Sequence, residues 1–358
     1  MTRIHLDRRS FGDTERLAVE HEGLTASLFR YPTGVEAVRL ANARGALVVL
    51  PYLGQMIWSA AFDGVDLTMR SMFKAPRPVR TIAETYGCFA FHSGLLRNGV
   101  PGPTDTHPAH GEMPCAPMDS AGIELGTDAR GPWMRLFGAY EYAMGFGAHY
   151  MARPSVTLHA TDARFDMAME VTNLSAGDAM DLMYMAHVNY AFVEGGEILQ
   201  QAPYDATHTA VRRAVPAHVA PNPTYLARIE ALATDPSGSR VVRQADGFDP
   251  EQVFYLTGLA ADAQGATTML LRRPEGDAFL ARYRPAEFPK TVRWILAGHD
   301  QSVCAFALPA TCEPEGYTAE KAKGNVIRLP AGATARYSVE LGHRDAAECA
   351  ALAPGFRG

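Results

Sequence analysis

SVTLHATDARFDMAMEVTNLSAGDAMDLMYMAHVNYAFV, residues 155–193, decides the fold. Phe165, Met167, Met169 and Val171 alternate with Arg164, Asp166, Ala168 and Glu170. That period of two belongs to a half-buried strand and not to a helix, whose period is 3.6. Turn formers interrupt the pattern at Thr161–Arg164 (TDAR) and Ser175–Ala179 (SAGDA). The arms between them are about ten residues long, which suits large sheets.

The same alternation spreads outward through LTASLFRY (24–31), IWSAAFDGVDLTMRSM (57–72), QVFYLTGLA (252–260) and TARYSVELGH (334–343). Candidate helices are few: Asp13–Glu20, Asp277–Tyr283 (which also reads as a strand through FLARYRP) and Asp345–Leu352. Strands in such number without alternating helices indicate an all-β sandwich of large antiparallel sheets with a few short helices. No internal repeat or Ser/Gly linker divides the chain. The expectation is one domain over residues 1–358, with residues 1–38 packed on it as N-terminal strands or a short helix, and residues 214–223 as a surface loop.

Composition narrows the function. A net charge of −6 with no long Lys/Arg run argues against a nucleic-acid partner. Apolar runs such as GALVVLPYLG fall far short of a membrane span. The first residues, MTRIHLDRRSFGDTERL, carry no apolar stretch of the secretory kind. Five cysteines without CxxC spacing read as reduced thiols in the cytoplasm.

The chemistry-bearing residues concentrate in FHSGLLRNGVPGPTDTHPAHGEMPCA, residues 91–116. Its Gly and Pro forbid a regular helix, and an irregular loop rich in imidazoles is a common place for binding and proton transfer. His92, Arg97, Asn98, His107, His110 and Glu112 all lie there. His187 sits in a strand with Asn189 on the same face, and reads equally as a satisfied core histidine or as the wall of a polar site. Trp294 reads as a core tryptophan or as a platform for a sugar ring. The H-x-x-H-x-E spacing of His107, His110 and Glu112, with His187 added, offers a divalent metal site as an alternative.

Taken in order, several segments are similar to the aldose 1-epimerase (galactose mutarotase-like) superfamily, in particular a bacterial aldose-epimerase-like branch. They are GALVVLPYLGQMIWSAAFDGVDL (45–67), HPAHGE (107–112), MEVTNLS (169–175), MYMAHVNYAFV (183–193) and SVCAFALPATCEPEG (302–316). The resemblance implies a β super-sandwich whose open cleft holds a small carbohydrate and needs no cofactor. It also implies ring opening and closure by general acid/base catalysis. His187 corresponds to the family's general acid and His110 to its second histidine. The family's base, a glutamate before the Pro of "EPAT", is replaced by Leu308. Leucine takes no proton, so another carboxylate is needed, with Glu112 first in line. His92, Arg97, Asn98, Asn189, Trp294 and Glu313 are the expected substrate contacts. The remaining alternatives are a metal-dependent sugar isomerase or carbon epimerase on the His107/His110/Glu112/His187 set, and a non-catalytic sugar-binding module.

Overall fold

The alternation at residues 164–173 becomes alternating burial: Phe165, Met167, Met169, Val171 and Asn173 are inside and their neighbours half-exposed. A computed structural model of the protein describes residues 2–215 and 219–356. The Arg164–Asn173 strand pairs antiparallel with His149–His159 on one side and Thr334–Arg344 on the other, inside a ten-stranded sheet. After the SAGDA turn the chain crosses to a second sheet of thirteen strands. There Met180–Val188 pairs with Ala90–Leu95 and, through Met185, with Ser302–Ala310.

The two sheets face each other across an aromatic core. Phe62 and Phe89 each lie with ring centroids 6.0 Å from Phe165. Tyr184 meets Tyr337 at 4.8 Å, and Tyr190 stacks on Phe279 at 5.2 Å. Met180–Val188 is buried almost throughout because both its faces are covered. Its even residues Leu182, Tyr184, Ala186 and Val188 join the core cluster. The odd residues Met185, which also touches that cluster, and His187 have the opposite parity.

The first thirty residues contribute strands to both sheets. Thr2–His5 lies beside Ser120–Asp128, and Arg16–His21 is the edge of the larger sheet. The helix expected over Asp13–Glu20 is therefore a strand. Glu22 and Gly23, at φ 46° and 86°, form the tight hairpin turn that returns it into Leu24–Arg30. The second candidate is the Ala278–Tyr283 strand, buried between Thr267–Arg272 and Thr334–Arg344. Only the third is helical, at Ala346–Leu352, started by a capping box of Asp345 and Glu348.

Two helices went unread. Pro223–Thr234 begins with Asn222 as cap and proline in its first turn, and buries Tyr225, Ile229 and Leu232 at helical spacing. Tyr317–Ala322 follows a left-handed glycine. The expected loop 214–223 ends where the longer helix begins, and residues 216–218 within it lie outside the described residues. Among the described residues, no helix is long and apolar enough to cross a membrane.

Candidate active site

Strand parity builds the site. Gln252–Leu256, Lys290–Ala297, Ser302–Ala310 and Met180–Val188 are consecutive neighbours in the larger sheet. Alternate residues (Val253; Val292, Trp294 and Leu296; Leu308; Met185 and His187) line one face of a cleft of about 540 Å³. The segment carrying Met72, Phe73, Ile82, Ala83 and Tyr86 walls one side, and Val100, Ala109, His110 and Pro314 another. Arg212, Glu251 and Gln301 complete the lining.

His187 is fixed by hydrogen bonds from behind. Asn189 donates its amide to the Cys88 carbonyl at 3.0 Å, which turns its Oδ1 toward His187. His187 Nδ1 lies 3.0 Å from that oxygen and is therefore the protonated nitrogen. Nε2 is left as the acceptor and meets the Tyr86 hydroxyl at 3.2 Å. Phe91, its cross-strand partner, stacks beneath the ring at 4.5 Å. Burial first, and then His110, hold His187 well below the ordinary histidine value, so the resting imidazole is neutral.

His110 arrives from the irregular loop with φ 63°, followed by Gly111 at φ 79°. Its N–H donates to the Gly99 carbonyl at 2.8 Å, and its own carbonyl accepts from Gly94 N–H at 2.9 Å. Ser93 donates to Asn98 Oδ1, so its oxygen accepts from His110 Nδ1 at 3.1 Å. Asn98 in turn donates to Cys312 Sγ at 3.3 Å. The outcome is two imidazoles with centroids 4.8 Å apart, nearly perpendicular at 85°. Two rings so close disfavour carrying two charges together.

A Cβ on Gly111 would stand 2.1 Å from the Arg97 carbonyl oxygen. Gly111→Ala should therefore lower the unfolding free energy by about 2 kcal/mol or more and displace His110. A melting curve matching that of the unaltered protein would contradict this packing.

The cleft holds a carboxylate that sequence reading missed. Glu251, just before the Gln252–Leu256 strand, accepts from Trp294 Nε1 at 2.7 Å and from Arg212 at 2.9 Å. Leu308 lines the same cleft, so the family's base position is a hydrocarbon wall here. Trp294 is itself a wall, with its ring 5.9 Å from His187. Tyr86 was also missed. It touches His110, His187 and Trp294 with centroids at 6.3, 6.0 and 5.8 Å.

Other expected residues are placed elsewhere. Glu112 does not reach the cleft: its Oε1 accepts from Leu95 N–H, Leu96 N–H and the Tyr150 hydroxyl at 3.0, 2.8 and 2.8 Å. A turn with two inward-pointing amides needs such an acceptor, so Glu112 is a structural anchor. His107 faces Asp105 at 3.7 Å. The proposed His107/His110/Glu112/His187 metal set is therefore not assembled. Among the described residues, no group of three His, Cys, Asp or Glu is placed to hold a metal ion. Arg97 lies over the Tyr317 ring at 3.6 Å. Glu313 pairs with Lys323 at 2.7 Å. Asn98 and Asn189 act behind the histidines and do not face the cleft.

His92 is a core residue. It pairs with Ala186, shares that strand's inward parity, and bonds the Tyr184 hydroxyl at 2.8 Å. Burial pulls it down to about 3. The native state keeps His92 neutral, whereas the unfolded chain takes up a proton below about 6.5. The stability from neutral His92 is thus complete above that pH and is lost as pH falls toward 3, at about 1.4 kcal/mol per unit. His92→Gln should flatten the pH dependence of urea unfolding between pH 6 and 4 by that slope; an unchanged slope would contradict a neutral His92.

Solved structures share the fold of this chain. No curated protein matches the chain. A protein from Klebsiella pneumoniae, described as a candidate aldose 1-epimerase, superposes with a TM-score of 0.77 at 15% identity, over 96% of this chain and 91% of that one. A galactose mutarotase-like protein from Clostridium acetobutylicum gives 0.59 at 12%, over 91% and 100%. Galactose 1-epimerase from Lactobacillus acidophilus gives 0.55 at 12%, over 92% and 98%. The fold is the galactose mutarotase-like β-sandwich. Residues 32–342 match the family described as "Domain of unknown function (DUF4432)", and the chain belongs to that family.

Proposed function

We propose that the protein is a carbohydrate-active isomerase that exchanges the anomers of a reducing sugar, an aldose 1-epimerase type of reaction. The observation that carries this reading is the convergence of His110, His187 and Glu251 on one cleft, with the imidazoles 4.8 Å apart. Glu251 takes the proton of the C1 hydroxyl, and the histidine pair, having first taken up one further proton from solvent on a cleft-facing ring nitrogen, gives that proton to the ring oxygen. The C1–O bond of the ring breaks to give the open aldehyde. Rotation about C1–C2 and reclosure, with both protons returned, yield the other anomer. Each positioned transfer contributes about 10²–10⁴-fold. Trp294 offers an indole face for the sugar ring, and its N–H together with Arg212 keeps Glu251 aimed inward. Five unpaired, buried thiols suit a reducing compartment such as the cytoplasm.

Anomer exchange measured by NMR on a panel of reducing sugars tests the proposal. Exchange above the buffer rate for at least one sugar supports it. Binding without exchange across the panel would replace it with a non-catalytic sugar-binding module.

A further inference from the structure

Beyond the reaction type, we infer from the cleft's lining that the substrate is a reducing sugar with an apolar flank: one that lacks hydroxyls, or carries an alkyl or acyl group, on carbons remote from C1. The inference rests on the anomer-exchange reading above, which places C1 and the ring oxygen at the histidines.

The hydrogen-bonding groups of the cleft form two adjoining sets, in ring contact through Trp294. Tyr86 joins His187 through its hydroxyl and Gln301 through its carbonyl. His110 stands against His187. Trp294 and Arg212 are both engaged with Glu251. Much of this capacity is already used within the two sets.

The rest of the lining is hydrocarbon or thioether. Met72, Phe73, Ile82 and Ala83 form one lip, and Val100, Ala109 and Pro314 face the cleft from the loop side. Met185, Val253, Val292, Leu296 and Leu308 lie on the sheet face. Met72 is 52% exposed and lines the cleft, so a ligand can reach its thioether.

A fully hydroxylated hexose has a hydroxyl on nearly every carbon. Only those beside the two sets find partners here, and each one pressed against the lip loses its water without replacement. One such hydroxyl weakens binding by roughly 10-fold or more. A methyl or acyl chain at the same place instead gains from burial. The missing glutamate at position 308 fits the same picture, because that position adds a butyl side chain to the apolar surface.

The test compares galactose, 6-deoxygalactose and 6-O-butanoylgalactose on the full-length protein, by calorimetric binding and by NMR anomer exchange. The expected result is an affinity rising in that order, by roughly 10-fold or more from first to last, with kcat/KM following it. Met72→Gln, at an exposed position that tolerates a polar side chain, should narrow the difference several-fold. Equal or better binding of galactose overturns the inference while leaving the reaction type intact. Failure to bind any of the three also overturns it. A rising affinity with no exchange upholds the apolar flank and sinks the anomer-exchange reading instead.

Discussion

His187→Asn should lower anomer exchange by about 10³-fold while leaving sugar affinity within a few-fold. Asparagine keeps a polar group in the cleft but offers no nitrogen able to take and return a proton. The fold should survive, because the imidazole is neutral in its pocket and the substitution strands no charge. Losing the stack on Phe91 and the bond to Asn189 should cost about 1–2 kcal/mol of stability. NMR exchange spectroscopy alongside calorimetry separates the two effects. A rate within 10-fold of the unaltered protein would remove His187 from the chemistry and return it to the bland reading of a buried structural histidine.

Glu251→Gln should cost about 10²-fold or more in turnover with binding nearly intact, since glutamine has the shape of glutamate but no basic oxygen. The side-chain carbonyl still accepts from one neighbour, Trp294 or Arg212, so the indole platform should stay in place. Measured kcat and KM discriminate. A fall in kcat with KM unchanged assigns Glu251 to the proton transfer, whereas a rise in KM alone reduces it to a substrate contact. A base at Glu251 would sit just ahead of the Gln252–Leu256 strand, not on the Ser302–Ala310 strand where Leu308 holds the position expected for it.

Two kinds of information decided what the sequence could reveal. The sheets were legible because alternation is local: Phe165 to Val171 states its own buried face without reference to any partner. His187 was legible for the same reason, but Asn189, expected as a substrate contact on the same strand face, instead bonds His187 Nδ1 from behind. His110 was named through the resemblance of HPAHGE to the family's second histidine, since His-Gly in an irregular loop decides little by itself. Glu251 was not, because DGFDPEQVF reads as an ordinary acidic turn. Only pairing with a strand 43 residues away brings Trp294 beside it.

Tyr86 was hidden in the same manner, meeting His187 from 101 positions away. His92 was assigned to the site because it lies in the right segment. The register that sets Phe91 opposite His187 puts His92 on the opposite face. Glu112 stands two residues from His110 in sequence, yet the left-handed turn at His110 and Gly111 sends it to the amides of Leu95 and Leu96. The helix expected over Asp13–Glu20 failed for a tertiary reason, because the edge of a large sheet recruits it as a strand.

The most direct test of the convergence of His110, His187 and Glu251 on one sugar ring is the structure of the His187→Asn protein soaked with a reducing sugar. The account predicts a single ring bound against Trp294, with C1 and the ring oxygen within hydrogen-bond reach of Glu251 and His110. A sugar seated elsewhere, or with C1 turned away from both, would contradict it.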